Sequence, residues 1–197
     1  MTNERQESAL ESRLLAVWRR NQRRNFCAGL LALCRWGIPL FLAGMVIDWL
    51  TYLPTAGRAT VLLVFVWVSF YQAWRHGWRH LRGFEPTRTA LEIEDQHGGL
   101  ESLLVTAVQF GKAKPTPGSS ESLWEVTRQN AEGAARKLEP RKIVDFMALR
   151  IPAIVALVLA GMMLVFALFN GPFFVAGLLR IFAPWVAVAY PTNTKLD

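Results

Sequence analysis

A long apolar run covers residues 151–169, nineteen residues without a charge or a strongly polar side chain. As a helix it would be about 28 Å long, close to the roughly 30 Å hydrocarbon core of a bilayer. A helix that is apolar on every face is rare in a soluble domain. The pattern therefore predicts a transmembrane helix, and the other segments are interpreted relative to it.

Two further apolar runs, residues 36–53 and 60–74, are separated by the turn sequence Leu-Pro-Thr-Ala-Gly at 53–57. They predict a transmembrane helical hairpin over 36–78. Pro39 would then lie in the first turn of a helix beginning at Trp36, where a proline costs little. The second run is short, about 22 Å as a helix. If the hairpin is only re-entrant, both of its ends still lie on the same side.

The leader, residues 1–35, is predicted to be a basic cytoplasmic helix that combines an apolar stripe, including Leu14 and Val17, with a cluster of arginines. It is interpreted either as a solvated segment that keeps the N-terminus inside or as an amphipathic helix on an anionic membrane surface. The former is favoured. The first apolar run begins only at Phe26 and no small-residue cleavage site follows it, so a cleaved signal peptide is not expected.

Residues 79–150 form the one sizeable polar region and predict a small set of amphipathic helices. Thr89 with Glu92, and Ser122 with Glu125, match the capping-box pattern at a helix N-terminus. Leucines and small apolar residues from Leu100 to Val108 predict a helix between these two, followed by a loop at 111–120. So small a region is expected to need the hairpin or a partner to complete its core.

Beyond the helix at 151–169, residues 170–197 are interpreted as an external juxtamembrane segment. Asn170-Gly171-Pro172 predicts a helix stop, and residues 173–182 predict a short helix along the interface with one charge, Arg180. Residues 184–191 predict an extended segment with Trp185 and Tyr190 at the depth of the interfacial aromatic belt. A larger C-terminal domain is expected to follow.

The 197 residues carry a net charge of +7, which in a soluble protein would suggest nucleic acid binding. Here the bases flank the apolar runs and no nucleic-acid-binding motif occurs, so topology explains them better. The positive-inside rule predicts a cytoplasmic N-terminus, a cytoplasmic region at 79–150 and an external C-terminus. Seven bases precede the first crossing: Arg5, Arg13, Arg19, Arg20, Arg23, Arg24 and Arg35. The expected fold is an all-α integral membrane protein with three transmembrane helices, located in a bacterial inner membrane.

Asp48 is a candidate functional residue, because an acid inside a membrane segment is costly. Its proximity to Trp49, Tyr52 and Pro54 favours an interfacial position or pairing with Arg58 over proton or ion handling. Arg35 is placed at the inner interface, where its long stem can snorkel.

Other candidate sites carry weak signals. His76 and His80 have a metal-compatible spacing, but Arg75 and Arg79 flank them and would repel a cation. Cys27 and Cys34 are too far apart on one helix for a disulfide and are interpreted as small apolar residues. No catalytic, cofactor-binding or metal-binding residue is predicted, and no cofactor is expected.

Three features together resemble a family. They are the basic leader with a hairpin that has an Asp near its turn, LEIEDQHGGLESLLVTAVQF at 91–110, and LLRIFAPWVAVAYPTNTKLD at 178–197. The chain resembles the N-terminal membrane portion of large bacterial membrane proteins often encoded beside MoxR-type AAA ATPases. The resemblance implies a long extracytoplasmic region with β-sandwich-like modules and a possible MoxR-type partner system. No catalytic residues are established for that family, so none are carried over.

Three hypotheses follow for function. The first is a membrane anchor and assembly component that holds a protein partner and presents an external domain, without catalysis. The second is a small membrane enzyme or transporter subunit that uses Asp48 and Arg35, with His76 and His80. The third is a signal transducer acting through residues 75–150. Besides the lipid bilayer, the expected partner is a protein in the membrane or the cytoplasm, and no nucleic acid.

Overall fold

A computed structural model describes residues 2–96, 103–112 and 143–191, together with Val126, Asn130 and Gly133. This described part is helical and contains no strand, which confirms the all-α prediction. Three segments are long and apolar enough to cross a membrane: Glu11–Thr51, Thr55–His76 and Met147–Phe169. The helices whose bounds fall within the described ranges are α1 (Thr2–Thr51), α2 (Thr55–His76), α3 (Pro86–Gln96), α4 (Leu103–Lys112), α5 (Arg150–Phe169) and α6 (Gly171–Phe182), with 3₁₀ turns at Trp78–His80 and Met147–Leu149.

The predicted start of the first crossing helix at Trp36 is wrong. Leader and crossing form one helix, α1, and Pro39 lies in its interior. A proline there lacks the N–H that would bond to the carbonyl four residues earlier, at Arg35. No glycine or proline interrupts residues 2–28, so nothing in the sequence ends the helix before the apolar run begins.

The described residues divide into two compact units, and α1 contributes to both. The apolar unit comprises Asn25–His80 and Met147–Asp197, and the polar unit comprises Met1–Arg24 and Leu81–Phe146.

In the apolar unit, α1 and α2 pack as the predicted antiparallel hairpin. Gly44 faces Val61 near the turn, Gly37 faces Phe65 and Ser69 in the middle, and Gly29 faces Trp78 at the open end. The turn follows α1 directly: Tyr52 has a φ of 46° and Pro54 precedes α2. The left-handed residue just past a helix end is a common way to terminate a helix. The predicted turn at 53–57 is thus shorter than expected, because Thr55 already begins α2.

We expect Gly77→Ala to destabilise the hairpin. A Cβ at residue 77 would meet backbone atoms of Asn25 and Gly29, which cannot rotate away. Overpacking of this kind typically costs about 1–3 kcal/mol. The measurement is the unfolding free energy of the chain in detergent.

The matched control for this substitution is Gly161→Ala in α5, where nothing lies within 4 Å of the new methyl group. Its effect should be neutral or stabilising, since alanine is the better helix former. Equal stability of the Gly77→Ala variant and the wild type would contradict the close backbone approach.

Helix α6 joins the hairpin through an apolar core. Phe41, Met45 and Ile181 are buried, and partly buried side chains from four helices pack against them: Leu42, Leu62, Phe65, Met163, Phe166, Phe173 and Phe174. The short helix predicted at 173–182 is confirmed, with its start at Gly171, while its position along the interface stays a prediction. The side chains of α5 remain mostly uncovered, with Leu157 75% and Phe169 85% exposed. Such exposure of an apolar helix that is long enough to cross a bilayer fits a lipid environment.

The polar unit has its own core, and the N-terminal part of α1 is part of it. Leu14 and Val17 are fully buried against Ala90 and Ile93 of α3 and Leu104 of α4. Trp18 Nε1 donates to the Arg82 carbonyl over 3.2 Å. The predictions of a solvated leader and of a surface-bound helix are both wrong for this stripe, because its apolar residues are covered by protein.

Local details of the polar unit also differ from the sequence predictions. Helix α3 begins at Pro86, not at Thr89, and the Thr89 hydroxyl donates to the Glu85 carbonyl over 2.9 Å. Proline suits the first helical position because it has no N–H to satisfy there. Glu94 Oε1 accepts the amides of Leu104 and Val105 over 2.7 and 3.2 Å and so caps α4.

The end of α4 and the following helix are only partly covered by the structure. Helix α4 continues through Gly111 and Lys112, so the prediction of a loop at 111–120 is wrong for these two residues, and the rest of that range lies outside the described residues. The predicted capping box at Ser122 and Glu125 and most of its helix lie outside the described residues. Val126, four residues after Ser122, is helical and 54% exposed.

Candidate functional site

Asp48 is the centre of a buried polar cluster in the apolar unit. Its side chain is 1% exposed. Oδ2 accepts from Arg180 Nε over 2.6 Å and from the Tyr190 hydroxyl over 3.0 Å. Oδ1 accepts from Arg58 Nε over 3.1 Å and from Arg180 Nη2 over 3.2 Å. Both carboxylate oxygens are therefore fully engaged.

Three parts of the fold place these side chains together. Asp48 lies in the last turn of α1, and the short turn brings Arg58 of α2 back beside it. Arg180 comes from the last turn of α6, which packs on α1. Its position carries the one charge in an otherwise apolar helix, and pairing with Asp48 compensates the cost of burying either group alone.

The segment after α6 is attached to the same cluster. Arg180 Nη1 donates to the Val188 carbonyl over 2.6 Å, and its guanidinium lies 4.8 Å from the centroid of the Tyr190 ring. The Tyr190 ring also stacks on the ring of Phe173, with 4.7 Å between their centroids. Tyr190 is 8% exposed and packed in protein, and its position at belt depth stays a prediction. The extended segment predicted at 184–191 is wrong at its start, because residues 183–186 form a turn. Residues 187–191 have no regular secondary structure.

Burial and the hydrogen bond to Asp48 raise the pKa of Tyr190 to about 12. The fold thus favours the neutral phenol. The resulting stabilisation is fully present below the ordinary pKa of 10 and is lost as the pH rises towards 12.

We expect Tyr190 to ionise near pH 12 in the folded chain. The near-ultraviolet phenolate absorbance, titrated for the wild type and for Tyr190→Phe, isolates this residue from the other two of the three tyrosines. A difference signal with a midpoint near pH 10 would show that the hydroxyl is not held in the cluster.

The other candidate residues are not brought together. Arg35 and Asp48 lie thirteen residues apart on α1, about 20 Å along the helix axis. His76 ends α2, whereas His80 lies in the following 3₁₀ turn and accepts from Arg79 Nε over 3.0 Å. Among the described residues no group of His, Cys, Asp and Glu is arranged to hold a metal. Cys27 and Cys34 are free thiols on α1.

Arg58 was predicted as a partner for Asp48, whereas Arg180 and Tyr190 were not. A signal was present, because an acid in an apolar helix calls for a buried base and Arg180 lies alone in an apolar segment. Comparison with known proteins adds no relative: no family model, curated protein or solved structure matches the chain.

Proposed function

We propose that this chain is a multi-pass anchor and assembly component of the bacterial inner membrane and performs no catalysis. The observation that carries the proposal is the Asp48 cluster. Both oxygens of the acid bond to Arg58, Arg180 and Tyr190, an arrangement that holds helices together. A proton or ion carrier would need an acid that can exchange its partner, which favours a structural role here.

The cluster also supports an anchoring role for the chain end. It connects the α1–α2 turn, α6 and the segment at 188–190 through side-chain bonds. A domain that follows this segment would be held firmly at the membrane surface. In the proposed orientation the N-terminus and the polar unit are cytoplasmic and residues 170–197 are external, because the bases concentrate before the first crossing and before α5.

The polar unit is the proposed partner-binding module. Its core is closed by α1, so the exposed apolar side chains Leu91 and Val126, 53% and 54% exposed, are available to another protein. The family resemblance suggests a MoxR-type ATPase system as that partner.

Photocrosslinking in cells tests the module. A benzoylphenylalanine at Leu91 or Val126 of the full-length gene product is expected to yield a protein adduct, whereas the same group at the exposed Val158 of α5 should label lipid. Mass spectrometry of the adduct would identify the partner. Lipid-only labelling at all three positions would overturn the proposal of a partner-binding module.

The two alternative functions predict different experimental results. A transporter or enzyme subunit using Asp48 and Arg35 predicts that Arg35→Gln abolishes activity while leaving the fold intact. A signal transducer predicts that an external ligand changes hydrogen exchange in α3 and α4. The anchor proposal expects Arg35→Gln to leave both adduct formation and membrane insertion unchanged.

A further inference from the structure

An open cleft of about 480 Å³ lies beside the Asp48 cluster in the apolar unit. Its walls are the α1–α2 turn and the segment after α6, and both Arg58 and Arg180 line it. Tyr52 and Trp185 also line it and are 73% and 76% exposed. The cleft therefore combines two arginines with exposed aromatic side chains.

The Asp48 cluster carries an excess of positive charge. Two guanidinium groups surround one carboxylate, so these three side chains sum to +1. Arg180 uses three of its five N–H donors, since Nε and Nη2 bind Asp48 and Nη1 binds the Val188 carbonyl. Arg58 binds Asp48 through Nε alone, which leaves four of its N–H donors. The Arg58 side chain is also the more exposed of the two, 13% against 7%, so Arg58 is the better contact for an added anion.

We propose that the cleft binds a phosphate group through Arg58, with the surplus positive charge of the cluster as the source of affinity. The planar fork of arginine matches two phosphate oxygens and forms strong charge-assisted bonds. Exposed Trp and Tyr side chains are typical of the headgroup region of a bilayer. The phosphate can belong to an anionic phospholipid headgroup or to free phosphate.

The test uses the purified full chain in a neutral detergent. Its thermal unfolding midpoint is measured against phosphatidylglycerol, phosphatidylcholine and inorganic phosphate. Phosphatidylglycerol is expected to stabilise the wild type, and Arg58→Gln is expected to weaken its apparent affinity at least about tenfold. The matched control is Arg75→Gln, an exposed arginine at the other end of the same helix, which should leave the affinity within about twofold.

The comparison of phosphatidylglycerol with inorganic phosphate distinguishes a lipid headgroup from free phosphate as the source of the bound group. Stabilisation by phosphatidylglycerol alone assigns a lipid headgroup, whereas equal stabilisation by inorganic phosphate, with the same Arg58 dependence, assigns free phosphate. If Arg58→Gln does not fold, Arg58→Lys replaces it; this variant keeps the charge but loses the fork and should bind several-fold more weakly. The proposal is overturned if the Arg58 variant that folds binds both ligands as tightly as the wild type.

Discussion

Replacing Asp48 by alanine is expected to lower the unfolding free energy by about 3–5 kcal/mol, the largest effect of any single substitution considered. The substitution leaves the Arg180 guanidinium, whose side chain is 7% exposed, without its carboxylate. It also removes the acceptor of the Tyr190 hydroxyl and of Arg58 Nε. The measurement is denaturant unfolding of the chain in detergent micelles, followed by circular dichroism.

The control for this prediction is another ion pair of the chain. Arg88 and Glu92 lie one helical turn apart at 3.5 Å, and both side chains are 52% exposed. Solvent screening limits such a pair to about 0.3–0.5 kcal/mol, so Glu92→Ala should change stability little. Equal losses for Asp48→Ala and Glu92→Ala would mean that the Asp48 cluster is open to water.

Replacing Leu14 by alanine is expected to loosen the polar unit by about 2–5 kcal/mol. Leu14 has no exposed surface and packs in the core that α1 shares with α3 and α4. The cost is local to this core, so amide hydrogen exchange is the appropriate measurement. Exchange in residues 86–96 and 103–112 should accelerate at least about thirtyfold, which corresponds to the lower end of that range.

Leu91→Ala is the matched control, because Leu91 lies on α3 of the same unit and is 53% exposed. The same change of side chain there removes little buried area and should leave exchange nearly unchanged. Unaltered exchange in the Leu14→Ala variant would show that the start of α1 does not pack against α3 and α4.

The membrane helices were predictable because their signal is local. The run at 151–169 has no charge, and its length alone indicates a crossing. The hairpin followed from two apolar runs and the Pro-containing turn between them. The helical leader was predicted, but its unbroken continuation into the crossing was not. A second helix was expected to begin at Trp36 with Pro39 in its first turn, whereas α1 runs through Pro39 and packs there against α2 and α6.

The contacts between segments that are distant in the sequence were harder to predict. Asp48 and Arg180 are 132 residues apart, and only the packing of α6 on α1 brings them together. The burial of Leu14 likewise depends on α3 and α4, which follow the whole hairpin in sequence. An apolar stripe shows that one face of a helix must be buried. It does not show whether lipid or another segment of protein buries that face.

The central claim is that the chain crosses the membrane three times, with a cytoplasmic polar unit and an external C-terminal segment. Cysteine accessibility tests this claim most directly. In a background lacking Cys27 and Cys34, single cysteines replace Leu53 in the turn, Leu91 on α3 or Trp185 after α6. The proposal predicts that a membrane-impermeant maleimide labels positions 53 and 185 in intact cells and position 91 only after the cells are opened. Labelling of position 91 in intact cells, or protection of position 185 there, would contradict it.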